Sequence, residues 1–262
     1  MSTTRFPKGT SILNFRHAAP AFGLVLLAAG LTAARPAAAQ TYDAAGDFSA
    51  SANPNGVWSY GYENTLGGTL NLYTAQFAPT ANIAGWNNNI SADVPLVIKN
   101  FGTTADSSFA DIVLQAGQLA FHPGPQDQFS VVRFTAAQDG LFSLTSGFVP
   151  VTTDGTTTDV HVLENGLSLF DGNVSGTYNA PNGTSYNNDA LSLHAGDTLD
   201  FAVGYGADGN YGSDSTGISA TLVAAPVPEA STTISLGLML ALGLGAVAVA
   251  RRRKTAAQRP RC

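Results

Sequence analysis

Two arrangements in this chain could do chemistry: aromatic rings at alternate positions of a strand, and oxygen-bearing side chains gathered on a loop. Trp58, Tyr60 and Tyr62 alternate along Val57 to Glu63. Successive side chains of a strand point to opposite faces, so the three rings share one face. A row of exposed rings can stack on the apolar face of a sugar, whereas a half-buried strand uses the same residues for a core or an edge. Trp86, followed by Asn87-Asn88-Asn89, reads as a ring in a polar turn and is the best single candidate for exposed stacking.

The loop is Asp208-Gly209-Asn210-Tyr211-Gly212-Ser213-Asp214. Calcium takes oxygen ligands in flexible geometry, and Asp208, Asn210 and Asp214 are the candidate ligands. The spacing departs from the EF-hand template, where Ser213 stands in place of Gly and Ser219 in place of Glu, so an Asx-rich turn is the competing reading. His122, His161 and His194 lack the close pairing that zinc sites show. No Gly-x-Ser-x-Gly elbow or other nucleophile signature occurs, no catalytic residue is assigned, and the chain reads as a non-enzyme.

Short β-branched or alternating runs must position these residues: Phe129 to Thr135, Leu141 to Phe148, Thr158 to Leu163, Ser168 to Phe170, Ala190 to His194, Thr198 to Val203 and Gly217 to Val223. Asp139-Gly140, Asn165-Gly166 and Ala195-Gly196-Asp197 separate them and tolerate the positive φ that a hairpin requires. Thr69 to Phe77 is a further strand candidate. Many short strands without helical periodicity predict an all-β body, residues 40–226, folded as a β-sandwich or jelly roll.

Both ends carry targeting signals. Arg5, Lys8 and Arg16 precede an Ala- and Leu-rich stretch that ends at Ala37-Ala38-Ala39, the pattern of a cleaved signal peptide over residues 1–39. At the other end Val227-Pro228-Glu229-Ala230 leads into the uncharged run Ile234 to Ala250 and then Arg251-Arg252-Arg253-Lys254. Seventeen residues span roughly 25 Å as a helix, enough for a thin bilayer, and the cations hold their end on the cytoplasmic side. The final residues, 255–262, would stay there too. Val227 to Lys254 resembles the PEP-CTERM sorting tails of Gram-negative bacteria, with Ala230 where the second proline usually stands. That resemblance implies recognition by an exosortase-type processing enzyme, removal of the helix, and delivery to the cell surface or an exopolysaccharide matrix.

The body is also similar to an uncharacterised β-sandwich module of exported bacterial proteins with such tails. The similarity rests on Asn53-Pro54-Asn55-Gly56-Val57-Trp58, Phe121-His122-Pro123-Gly124-Pro125, Thr158-Asp159-Val160-His161-Val162 and Leu193-His194-Ala195-Gly196-Asp197. It implies fold and location but no activity.

Charge narrows the partners. Ten of the twelve Lys and Arg residues lie in the two ends, leaving Lys99 and Arg133 against seventeen acidic residues in the body, a formal charge of −15. Nucleic acid is excluded as a partner, because phosphate neutralisation needs clustered cations. Neutral sugars and cations remain. The single cysteine, Cys262, leaves the body without a disulfide. The expected function is therefore that of an exported, non-catalytic surface or matrix protein, held at the membrane before processing, that binds polysaccharide or a cation. The alternative is a carbohydrate-active enzyme, a glycosidase or lyase on a jelly-roll scaffold.

Overall fold

The computed structural model describes residues 39–91 and 94–225. The sorting motif, the apolar run 234–250, the basic end and all of the leader but Ala39 lie outside the described residues. Every regular element within them is a strand: β1 (Gln40–Asp43), β2 (Trp58–Glu63), β3 (Asn71–Leu72), β4 (Ala75–Phe77), β5 (Ile83–Ser91), β6 (Val94–Asn100), β7 (Asp106–Phe109), β8 (Ile112–Leu114), β9 (Leu119–His122), β10 (Phe129–Thr135), β11 (Gly140–Pro150), β12 (Asp159–Glu164), β13 (Leu167–Asn173), β14 (Ser175–Thr177), β15 (Ala180–Asn182), β16 (Thr184–Leu193), β17 (Thr198–Val203) and β18 (Thr216–Ala224). Among the described residues no helix is long and apolar enough to cross a membrane.

Two antiparallel sheets hold most of these strands. One runs β16-β11-β18-β9-β6-β5-β4, with β1 added to β18, and the other runs β13-β12-β17-β10-β2-β3. Alternation explains which faces meet. On β11, Phe142, Leu144 and Phe148 are buried while Leu141 and Val149 are exposed, the pattern of a strand with one wet face. Phe142, Leu144, Phe148, Phe121 and Leu222 from the first sheet share a core with Trp58, Tyr60, Val132, Phe134, Val162 and Phe201 from the second, which makes the body a β-sandwich. Phe134 sits at its centre, edge-on to Tyr42 at 5.1 Å and to Trp58 at 5.4 Å.

The strand β6 is buried on both faces. Val97 enters the main core, whereas Leu96 and Ile98 face a second apolar cluster with Ile83, Ile112, Leu114 and Val151. The hairpin β7–β8 supplies Ile112 and Leu114 to that cluster and so covers this end of the sheet.

The hairpin turns need correcting in two of three cases. Asn165-Gly166 joins the paired strands β12 and β13, with φ of 50° and 80° as a two-residue turn demands. Asp139-Gly140 and Ala195-Gly196-Asp197 instead carry the chain from one sheet to the other, since β10 pairs with β17 and β2, and β16 with β11. Thr69 to Phe77 also divides: β3 joins the six-stranded sheet and β4 the eight-stranded one. The polar run around Trp86 is strand β5, not a turn.

The outer face of the six-stranded sheet holds an ion cluster. Arg133 on β10 donates from Nε and Nη2 to the two carboxylate oxygens of Asp200 at 2.5 and 2.7 Å, and from Nη2 to Glu63 Oε1 at 3.2 Å. One guanidinium thus serves two carboxylates whose side chains are fully buried. Asp200 takes the two-pronged contact, and Glu63 adds a bond from the Gly67 N–H at 2.8 Å. Burial, then the nearby Asp200 charge, pushes the Glu63 carboxyl up to about 7. On β12, His161 lies between Asp171 (Nδ1, 2.6 Å) and Asp159 (Nε2, 2.9 Å). Burial works against the imidazolium, but bonds to the two carboxylates outweigh it and raise the His161 pKa. Asp159 and Asp171 are correspondingly lowered.

Replacing Arg133 with Met should cost about 3–5 kcal/mol of unfolding free energy at neutral pH, because two buried carboxylates would lose their cation. Chemical denaturation would read this, and a loss below about 1 kcal/mol would show the cluster to be dispensable. The pH dependence has a definite sign. Between about 4.5 and 7 the folded chain holds a proton on Glu63 that the unfolded chain releases, so stability falls as pH rises. His161 acts in the same sense: its contribution is complete below the ordinary histidine value and lost as pH rises through its raised folded value. The lowered Asp159 and Asp171 weaken the fold only when acid protonates them. The melting temperature should therefore be highest in mild acid near pH 5 and decline toward pH 8, with Glu63→Gln and His161→Asn each flattening that decline.

Candidate functional site

The aromatic row is closed to solvent. Alternation does place Trp58, Tyr60 and Tyr62 on one face, but that face is the core: Trp58 and Tyr60 are 0 % exposed. Trp58 Nε1 donates to Asp47 Oδ2 at 3.2 Å, Tyr60 lies 4.6 Å from the Phe48 ring, and half-buried Tyr62 stacks on Tyr73 at 5.9 Å. Trp86 is 6 % exposed, with its indole N–H bonded to the Ser49 carbonyl at 2.6 Å. The expected stacking platform is therefore a set of core rings. The chain 44–57 crosses over this end of the sandwich and covers them, a long-range closure that strand alternation does not reveal.

The Asp/Asn loop is spent largely on its own geometry. Asp208 Oδ1 accepts from the Asn210 N–H and Asn210 Oδ1 from the Gly212 N–H, each at 3.0 Å, two successive Asx turns. Asp208 Oδ2 accepts from the Thr157 hydroxyl at 2.9 Å. Asp214 turns inward and is fully buried, with Oδ1 accepting from the Thr157 N–H at 3.0 Å. Burial first, and the Asp208 charge as well, push the Asp214 carboxyl up to about 7. Its Oδ2 has no hydrogen-bond partner among the described residues. Among the described residues no group of three or more His, Cys, Asp or Glu residues could hold a metal ion.

What the loop does build is one wall of a cleft. A cavity of about 260 Å³ is lined by Val94, Leu96, Phe109, Ala110, Asp111, Ile112, His122, Tyr211 and Ser215. The apolar floor comes from β6 and the β7–β8 hairpin, and so belongs to the second core cluster. His122 closes β9, while Tyr211 and Ser215 come from the β17–β18 connection. Backbone strain sits in the lining at Ala110, with φ of 50°, and close by at Ser213, with φ of 63°, conformations in which a side chain is uncommon.

The polar groups of the cleft are under-used. Ser215 is 1 % exposed, and its hydroxyl has no partner among the described residues; Asp111 Oδ2 is likewise buried and unpaired. A buried polar atom left without a partner costs about 1–3 kcal/mol, so two around one cavity are unusual. His122 is bonded through Nδ1 to the Pro123 carbonyl at 2.7 Å. A carbonyl only accepts, so the proton is on Nδ1 and Nε2 carries a lone pair. Burial holds the His122 pKa below the ordinary value and keeps the ring neutral. Tyr211, 36 % exposed, stands edge-on to His122 with ring centres 6.3 Å apart.

The larger hollow, about 650 Å³, is a shallow groove on the outer face of the eight-stranded sheet. Gly117, Gly147, Gly183 and Gly217 line it, with no charged side chain. His194 is exposed beside Asp197, and His161 is the acid-clamped ring described above. The structure therefore keeps the three histidines in separate settings. Of the cleft residues, sequence reasoning weighed His122 only as a metal ligand and passed over Asp111, Tyr211 and Ser215. Asp111 sits in the two-residue turn of β7–β8, where Ala110 adopts a conformation that its type gives no reason to expect.

No protein-family model matches the sequence, and no curated protein matches it. Slight structural similarities exist. The carbohydrate-binding module CBM51 from Clostridium perfringens GH95, solved with methyl-galactose, is 16% identical over 57% of this chain and 93% of its own, at a TM-score of 0.30. A family 35 carbohydrate-binding module from Clostridium thermocellum is 11% identical over 55% of this chain and 89% of its own, at 0.27. CBM36, solved with calcium and xylotriose, is 10% identical over 49% of this chain and 98% of its own, at 0.25. At such scores the likeness assigns neither a fold family nor a ligand.

Proposed function

We propose that this chain is an exported, non-catalytic cell-surface or extracellular-matrix protein whose β-sandwich binds polysaccharide in the cleft between β6, the β7–β8 hairpin and the β17–β18 connection. The carrying observation is the cleft itself: an apolar floor, a partly exposed tyrosine ring at 36 %, and buried Asp111 Oδ2 and Ser215 Oγ without partners. A sugar offers the complement of such a lining, with C–H faces for the apolar floor and ring and hydroxyl donors for the orphaned acceptors. The lack of cations in the body supports a saccharide over a nucleic acid. In this reading the signal-peptide pattern exports the chain. The PEP-CTERM-like tail then holds it in the inner membrane until an exosortase-type enzyme removes the helix. No cofactor is needed for that role.

The purified protein should bind saccharide on a glycan array and release no reducing sugar from the same glycans. Tyr211→Ala should weaken binding by about 1–2 kcal/mol, the order of one aromatic contact, without changing the melting temperature. Release of sugar would replace the binding role by an enzymatic one. Pulse-labelling in the native host should show a loss of mass corresponding to the tail, and none in a strain without the processing enzyme.

A further inference from the structure

Two of the three open groups of the cleft can only accept, and the third, the Ser215 hydroxyl, can do so. Asp111 Oδ2 can only accept when ionised, His122 Nε2 carries a lone pair because Nδ1 donates to the Pro123 carbonyl, and the Ser215 hydroxyl has no partner among the described residues. All three residues line the same cavity of about 260 Å³, and no lysine or arginine does. A ligand group that fits must bring donors, and a protonated amine brings three, with a positive charge for the carboxylate. The surroundings favour the same sign: two cations against seventeen acidic residues leave the body with a field that gathers cations and repels uronate polymers. A bare metal ion is the weaker fit, since no group of three or more His, Cys, Asp or Glu residues among the described residues could hold one. The Tyr211 ring at the rim adds a face toward which a cation is drawn.

We infer that the cleft recognises an amino sugar with a free ammonium group, so that the glycan this protein binds is a cationic, de-N-acetylated one. The ammonium sits among Asp111, His122 and Ser215, and the sugar ring rests on the floor formed by Leu96 and Ile112. This inference rests on the saccharide reading of the cleft and goes beyond it in naming the sugar class. N-acetylation would remove two donors and the charge and add bulk to a small cavity.

Calorimetry on the full purified protein at pH 6 and low salt tests it, with three probes of one length: the β-1,4-linked hexasaccharides of glucosamine, N-acetylglucosamine and glucose. The glucosamine hexamer should bind at least about tenfold more tightly than either of the others, and Asp111→Asn should remove about tenfold of that affinity, as expected for one charge-assisted contact. Ser215→Ala should weaken binding several-fold while leaving the melting temperature unchanged or higher, since it removes an unpartnered hydroxyl. Asp189→Asn removes the same charge from the exposed part of β16 and should change nothing. If Asp189→Asn weakens binding as much as Asp111→Asn, the attraction belongs to the whole acidic surface and the inference is overturned. If the neutral hexamers bind as tightly and Asp111→Asn still weakens them, the cleft remains a saccharide site and only the ammonium assignment falls. Binding of none of the three overturns the amino-sugar assignment, and only an array without any glycan signal would also remove the saccharide reading.

Discussion

A shortage of cations governs this fold. Seventeen carboxylates lie in the body with one lysine and one arginine, so nearly every acidic side chain must be stabilised by something other than an opposite charge. Arg133 is committed to Asp200 and Glu63, and it can be, because it stands on the middle strand between β2 and β17 and its fork reaches both. Lys99 donates Nζ to the Ala45 carbonyl and lies over the Phe101 ring, 5.2 Å from its centre, with no carboxylate partner among the described residues. Several of the remaining acids turn to the backbone. Asp43, Asp47, Asp106, Asp159, Asp197 and Asp208 all accept main-chain N–H groups in loops or at strand ends. The charges that make the body acidic are thus also the caps that shape its connections, and N–H donors oriented in this way stabilise a carboxylate as effectively as a neighbouring cation at a turn.

The same constraint isolates the cleft. Asp214 receives one N–H, from Thr157, and its other oxygen has none; Asp111 Oδ2 and the Ser215 hydroxyl lie near the end of the same supply. These are the places where local donors run out. They share one side of the sandwich because the β17–β18 connection is drawn onto β12: Asp159 accepts the Gly206 N–H at 2.8 Å and Thr157 holds both Asp208 and Asp214. His161, through Asp159, stands behind the root of that connection. The acid-clamped histidine is thus bonded through Asp159 to the root of the connection that carries Tyr211, and that connection is anchored from the six-stranded sheet.

The parts of this arrangement that were legible in the sequence are those set by short-range rules. Period-two alternation located β11 and β18 because each has one wetter face, β10 and β17 are legible as short β-rich apolar runs buried on both faces, and Asn165-Gly166 marks a true hairpin because both residues accept positive φ. The same signal failed at Asp139-Gly140, where a turn residue serves a crossing between sheets; local turn chemistry does not say which sheet the chain enters next. Trp86 misled because three asparagines beside it imitate a loop, while β5 draws its strand character from pairing with β6. The segment 208–214 stands out in the sequence for its oxygens, and in the structure most of those oxygens bond within the loop or to Thr157. Its Asx turns consume Asp208 and Asn210, and the chemistry passes to Tyr211 and Ser215, whose neighbours Asp111 and His122 are about ninety or more positions earlier in the chain.

The stability cost of the cleft bears on its meaning. Leaving the Ser215 hydroxyl and one Asp111 oxygen buried without partners costs about 1–3 kcal/mol each, a large part of the 5–15 kcal/mol by which a domain of this size exceeds its unfolded state. Alanine at position 215 would remove one of those costs with no change of backbone, and a neutral residue at 111 would remove the other. The turn holding Asp111 adds strain at Ala110, where glycine would be comfortable at a φ of 50°. Unfavourable terms of three kinds, desolvation of a hydroxyl, desolvation of a carboxylate and backbone strain, therefore coincide around 260 Å³, while elsewhere Ser130, Thr152, Thr156, Thr158 and Thr216 are all buried and bonded. Tyr60 Oη and Asp214 Oδ2 are also unpartnered among the described residues, but neither lines this cavity; Asp111 and Ser215 share it, so a single bound ligand with hydrogen-bonding groups would offset both costs there.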